Sequence, residues 1–166
     1  MLLRGIVHAD DVLCTAAEDN LAIAIWHGTP TEYHVLKIHE AVAQRVQLYS
    51  RALLLVVVAK PVLPDEPSRR RMTGVMDAFK ETLIAINVCI EVGGLFGAAL
   101  RTMGRAITIA SRARTPTLFS SSLEQATEQL QSIAGPALIN ADRLQSAVSG
   151  IRHDYTSRRP PAPVHA

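Results

Sequence analysis

Aromatic side chains and cysteine are scarce in this chain of 166 residues. One Trp, three Tyr and three Phe leave a buried core to be built mainly from Leu, Ile, Val and Ala. The two cysteines, Cys14 and Cys89, form no C-x-x-C motif and are too few for a structural metal site. Both lie in apolar stretches typical of strands, where we expect buried, reduced thiols; a disulfide or a reactive thiol is the alternative.

An excess of one charge and a long apolar run are also missing. The net charge is +2 with His counted neutral, and no basic stripe alternates with aromatic residues, so we expect no nucleic-acid partner. The chain has no run of about 18 apolar residues, so we expect no membrane span. The first residues lack the pattern of a secretory leader. A cytoplasmic protein is the expectation. No G-x-S-x-G motif or convergent catalytic set occurs, so we expect no enzyme, cofactor or metal.

The chain does contain a run of seven apolar residues, L-L-L-V-V-V-A, at Leu53 to Ala59. A strand this apolar must be covered on both faces, because either face left in water would expose a row of branched side chains. The run therefore predicts the centre of an α/β sheet with helices on both sides. The length of the chain suits one domain.

Two elements are predicted before this strand. The apolar runs Val12 to Ala16 and Leu21 to His27 flank a polar turn and predict an antiparallel hairpin. A first helix should follow, capped by Thr29, with Pro30 at its first position, and continue to about Tyr49.

Helices and strands alternate after it. We expect a helix over roughly Glu66 to Leu83, a strand from Ile86 to Glu91 and a helix from Leu95 to Met103. Ala106 to Ala110 fits either a short strand or a further helical turn. Thr117 to Ser120 predicts an edge strand.

The last core helix should begin with a capping box of Ser121 and Glu124. Residues 1–135 then form the α/β domain, with a mixed sheet of about four to six strands and about four or five helices. An extra helix is expected over residues 136–155, either folded back on its own sheet or packed on a second copy. Residues 156–166 are expected to form a flexible tail rich in Pro and Arg.

This order resembles the STAS fold of the anti-sigma-factor antagonists over residues 10–134, and the ending L-F-S-S-S-L-E-Q-A-T-E-Q-L at Leu118 to Leu130 is similar to endings in that family. The resemblance implies a non-enzymatic regulatory domain. It also implies a phospho-switch in a D-S-x-G turn after the central strand, whose nearest counterpart is Ser68. Pro67 precedes Ser68 and no Gly follows, so the chain is more similar to divergent members.

Two turns are candidate anion contacts. Arg69, Arg70 and Arg71 lie in the first turn of the predicted second helix, where cations oppose its positive end. A phosphate, an acidic partner or phosphorylated Ser68 would relieve this; a solvated charge run is the alternative. Gly93 and Gly94 open the next helix with free N–H groups, or serve only for tight strand-to-helix packing.

Two functional hypotheses follow. The leading one is docking of a protein partner or a second copy through the second helix and the loop before it, with Met72, Met76 and Phe79 as the docking face unless these three are plain core. The other is a small anionic or lipid-like ligand near the arginine and glycine turns. Both turns follow the carboxyl ends of strands, where α/β sheets place ligands.

Overall fold

The computed structural model describes residues 5–111, 114–135 and 139–158, which form a six-stranded sheet with helices on both faces. The strands are β1 (Gly5–Ala9), β2 (Leu13–Glu18), β3 (Leu21–Trp26), β4 (Ala52–Val58), β5 (Leu83–Ile90) and β6 (Thr117–Ser120). The helices are α1 (Glu32–Tyr49), α2 (Glu66–Ala78), α3 (Gly94–Ala110), α4 (Leu123–Ala134) and α5 (Ala141–Arg158). The predicted α/β class with an N-terminal hairpin is confirmed.

The strands lie side by side in chain order. β2 is antiparallel to both β1 and β3, and the strands from β3 to β6 are parallel to one another. Since every parallel crossover moves one strand in the same direction and such crossovers are right-handed, α1, α2 and α3 lie on one face of the sheet. Buried residues of α4 and α5 belong to the core on the other face.

The central strand is covered as its sequence predicts. All seven residues of β4 are buried, and their side chains alternate between two cores. Leu54, Val56 and Val58 belong to the core under α1 and α2, whereas Leu53, Leu55 and Val57 belong to the core under α4 and α5. The middle of the fold therefore has three layers, with the sheet between two layers of helices.

The C-terminal helix folds back on its own sheet, which is one of the two placements the sequence left open. Leu144, Val148 and Ile151 are buried in the core that α4 also covers. Two ion pairs of 2.7 Å join the helix to the strand ends, Arg143 near its start with Glu18 and Arg152 in its second half with Glu91. The helix continues to Arg158, beyond the predicted residue 155; residues 136–138 and 159–166, including most of the predicted tail, lie outside the described residues.

The start of α1 corrects the predicted cap. Its N-cap is Thr31, not Thr29, and Pro30 stays outside the helix. The Thr31 N–H donates to Nδ1 of His34 at 3.0 Å, so a His side chain at the third helical position closes the first turn. The predicted N-cap of α4 was also wrong by one residue: Ser122 caps it, accepting from the Gln125 N–H at 3.2 Å.

The ends of α2 and α3 also differ from the predicted ends. α2 ends at Ala78, since the N–H groups of Thr82 and Leu83 donate to the Phe79 carbonyl at 3.0 and 2.8 Å and turn the chain into β5. α3 extends to Ala110, so the segment left open is helical. β1 was not predicted; its residues are only partly buried and it depends on pairing with β2.

Gly97 allows α3 to lie close to the end of β5. A Cβ at this position would be 2.3 Å from the carbonyl oxygen of Val92, a backbone atom that cannot easily move. Gly74 in α2 is the matching case without a neighbour, because a Cβ there meets nothing within 4 Å.

We expect Gly97→Ala to lower the free energy of unfolding by about 1 to 3 kcal/mol, through forced displacement of α3. Gly74→Ala should raise it by about 0.5 to 1 kcal/mol, because Ala loses less backbone entropy in a helix. Urea denaturation measures both changes. Stabilisation by both substitutions would contradict the close approach at Gly97.

Candidate functional site

An apolar cavity of about 110 Å³, partly open to solvent, lies between the sheet and α1, α2 and α3. None of the residues that line it is charged. The sheet contributes Val56, Val88 and Phe119, α2 contributes Met72 and Met76, and α3 contributes Met103 and Ile107. The sole tryptophan, Trp26, also lines the cavity.

The cavity exists because α3 fills little of the space beneath it. Only Gly97 and Leu100 of this helix are buried. Gly104 faces the ring of Phe119, and a Cβ there would lie 2.5 Å from a ring carbon. The helix thus contacts the sheet through a residue without a side chain. Two large apolar side chains of α3 point outward, Leu95 with 89% and Ile109 with 84% of their surface exposed.

The size and lining of the cavity suit an apolar molecule. An engineered cavity of about 150 Å³ with an apolar lining stays dry and binds benzene. A space of about 110 Å³ without charged lining therefore suits a single ring or a short acyl chain. Water is disfavoured there, since it needs two or more polar partners.

The three predicted arginines do not converge on one point. Arg70 pairs with Glu66 one turn before it, and Arg71 lies 3.9 Å from Glu32 of α1. Arg69 is partly buried and makes no ion pair with any residue that the structure describes. Two of the three cations thus already have carboxylate neighbours.

The predicted glycines lie at the same edge of the sheet as these arginines. Gly93 is the N-cap of α3, and Gly94 has φ +65°, in the left-handed region that favours glycine. Both are exposed, and a Cβ at either would meet nothing within 4 Å. Backbone conformation, not close packing, explains Gly94. Binding of an anion at this turn stays a prediction.

Ser68, the predicted phospho-switch, is fully buried. Its Oγ donates to the carbonyl oxygen of Pro30 at 3.0 Å, and its N–H donates to the Asp65 carboxylate at 2.9 Å. Asp65 is the N-cap of α2. A kinase could reach this hydroxyl only after the first turn of α2 separated from the loop before α1. The phospho-switch stays a prediction, and this environment opposes it.

The three residues of the predicted docking face point inward. Met76 is buried, and Met72 and Phe79 are partly buried against the core under α1 and α2. Met72 and Met76 line the cavity, and the ring of Phe79 meets that of His39 edge to face with centroids 4.8 Å apart. Among the described helices, it is α3 that carries large apolar side chains with more than four fifths of their surface in water.

The structure contains a cluster around Asp10 that the sequence did not predict. One carboxylate oxygen accepts the N–H groups of Val12 and Leu13, both at 2.8 Å. Burial by itself would raise the pKa of Asp10, but these two donors and the nearby His8 and His34 outweigh it and lower the pKa.

The second oxygen of Asp10 lies 2.9 Å from Nε2 of His8 and 3.2 Å from Nε2 of His34. Since Nδ1 of His34 accepts the Thr31 N–H, the ring proton of neutral His34 is on Nε2 and points to Asp10. The cluster joins the turn after β1 to the start of α1. No sequence spacing marks it, because it depends on the unpredicted β1.

Other candidate chemistry is absent from the part of the chain that the structure describes. No group of three or more His, Cys, Asp or Glu side chains there could hold a metal ion. Cys14 and Cys89 are both buried, as predicted, and burial raises the pKa of Cys89. None of the described helices combines the length and the apolar character needed to cross a bilayer.

We expect Ser68→Asp to lower the free energy of unfolding by clearly more than Ser68→Ala, which should cost about 0.5 to 1.5 kcal/mol for the lost hydrogen bond. The added carboxylate would face the Pro30 carbonyl without water. Ser121→Asp, at an exposed Ser, is the control and should stay within about 0.5 kcal/mol of wild type. If Ser68→Asp is tolerated as well as Ser121→Asp, the first turn of α2 opens readily and phosphorylation becomes the favoured interpretation.

Asp10→Asn tests the cluster through pH. Because the folded pKa of Asp10 is lowered, its stabilisation is fully present above the unfolded pKa of about 3.9 and is lost as pH falls through the folded value. The difference in unfolding free energy between wild type and Asp10→Asn should therefore be constant near pH 5 to 6 and shrink towards pH 2. A difference that does not change with pH would show that the carboxylate charge contributes nothing.

No family model matches the chain, and no curated protein matches it. Membership of the STAS family stays a prediction from the sequence.

Proposed function

We propose that this chain is a non-enzymatic, STAS-like binding domain that holds a small apolar or lipid-like ligand in the cavity under α3. The observation that supports this proposal is a cavity of about 110 Å³ without a charged side chain in its lining. Of the two hypotheses from the sequence, the cavity supports the ligand over docking through α2, because Met72 and Met76 face inward.

Filling the cavity has an energetic reason. The side chains that line the cavity lack contact partners on one side, and an occupant would supply these contacts. A ligand that restores these contacts binds the folded chain and not the unfolded one. It therefore raises the apparent stability with its concentration.

The structure of α3 supports it as the movable cover of this site. Few of its side chains are buried against the rest of the fold. Just after its last residue, the hydroxyl of Ser111 donates to the carboxylate of Asp77 in α2 at 2.9 Å. The methionines of α2 beneath it can adapt to different ligand shapes, because Met is unbranched and flexible. A ligand longer than the cavity requires α3 to move outward.

A docking module is the second candidate, and the outer face of α3 favours it. Leu95 and Ile109 lie fourteen residues apart, which at about 100° per residue places them on the same side of the helix. Ala99, Thr102 and Ala106 lie between them on that side and are exposed. A protein partner or a second copy would cover this stripe.

Benzene titration tests the leading proposal. We expect benzene to change the fluorescence of Trp26 and to raise the unfolding temperature, since it occupies a cavity that this side chain lines. Val88→Phe should abolish both effects by filling the space, and Val88→Ile should weaken them by adding one methylene group. Val46→Ile adds the same group in the core away from the cavity and should leave benzene binding unchanged.

Absence of any benzene effect on wild type would refute a ligand cavity. If the chain instead formed dimers whose fraction rises with protein concentration, and Leu95→Glu abolished them, the docking module would be favoured.

A further inference from the structure

We propose that the ligand is an amphipathic carboxylic acid, with a short apolar body in the cavity and a carboxylate paired with Arg69 beside the seam between α2 and α3. This inference rests on the proposed function and adds the chemical class of the ligand. It is carried by Arg69, which makes no ion pair within the part of the chain that the structure describes, and by the uncharged lining of the cavity.

Arg69 differs from its two neighbours in its partners. Arg70 pairs with Glu66 and Arg71 lies near Glu32, both on the exposed surface. Within the described ranges Arg69 has no carboxylate at ion-pair distance, and it is partly buried. A cation in the first turn of a helix also opposes the positive end of the helix dipole, so an anion beside it is stabilised by both charges.

Arg69 lies one helical turn before Met72, a residue that lines the cavity. Arg69, Met72 and Met76 follow at spacings of three and four residues, so they share one side of the helix. Met72 and Met76 line the cavity, and Asp77, which contacts Ser111 of α3, marks the side of α2 that faces α3. At about 100° per residue, Arg69 lies between Met76 and Asp77 around the helix.

The acidic residues of this turn are already engaged. Asp65 accepts the N–H of Ser68 as the N-cap, and Glu66 is bound to Arg70. The positive charge of Arg69 contributes to the lowered pKa of both carboxyl groups, after the larger effects of hydrogen bonds to Ser68 and Arg70. These carboxylates therefore stay where they cap and pair, and the guanidinium of Arg69 keeps donors for another anion.

The cavity itself fixes the orientation of such a ligand. An ionised carboxylate among uncharged, apolar side chains would lose its hydration without compensation. The acid group must therefore stay at the rim, where a guanidinium offers paired N–H donors, and the apolar body must point inward. A neutral ligand of the same shape would gain the cavity contacts alone.

Hexanoate and hexanamide form a matched pair of probes, because they share the chain and differ in charge. We expect wild type to bind hexanoate about tenfold more tightly than hexanamide, as a charged hydrogen-bonded pair allows, when measured by Trp26 fluorescence and calorimetry at neutral pH. Arg69→Gln should remove this preference and leave hexanamide binding unchanged. Arg70→Gln, which changes the neighbouring exposed arginine, should keep it.

Benzene binding by Arg69→Gln serves as the control that the cavity of the variant is intact. Equal affinities for hexanoate and hexanamide in wild type would contradict a carboxylic acid as the ligand. If benzene still bound, the proposed ligand cavity would remain supported. A preference lost equally in Arg69→Gln and Arg70→Gln would overturn the assignment to Arg69. Failure of wild type to bind any of the three probes would overturn the proposed function as well.

Discussion

Complete burial of β4 is the constraint on which the other elements depend. Every residue of this strand is buried, and Leu and Val side chains project from both of its faces. Each such side chain contributes about 1.5 to 3 kcal/mol only if it is covered, so two layers of helices are required. α1, α2 and α3 form one layer through their crossovers, and α4 with α5 forms the other. The position of α5 against its own sheet follows from the same need.

The two layers cover the sheet unequally, and the proposed function arises from this difference. α4 and α5 bury Leu130, Leu144 and Val148 completely or nearly so against the sheet. On the opposite face, α3 meets the sheet through Gly104, and a cavity remains beneath it. The void lies beside methionines, whose flexible side chains adapt to an occupant. The proposed site thus lies in the less tightly packed of the two layers.

Sequence reasoning succeeded where one strong local signal decides the structure. The run at β4 and the bounds of β6 were predicted, because apolar runs between polar turns leave few alternatives. It failed where tertiary contacts decide. β1 exists through pairing with β2, and the cap of α1 uses His34, which does not belong to the usual Ser, Thr and Glu pattern. The cavity has no sequence signal at all, since it depends on how closely α3 approaches the sheet.

The ion pair between Arg143 and Glu18 joins residues 125 positions apart. α5 follows every other element in the chain, yet it covers the layer to which β2 and β3 contribute Cys14, Ile23 and Ile25. During synthesis on the ribosome, the part of this core that α5 covers stays exposed to water until α5 has emerged. A nascent chain of this topology thus keeps an apolar surface exposed until α5 has been made, and chaperones that recognise exposed apolar segments can bind it in that interval.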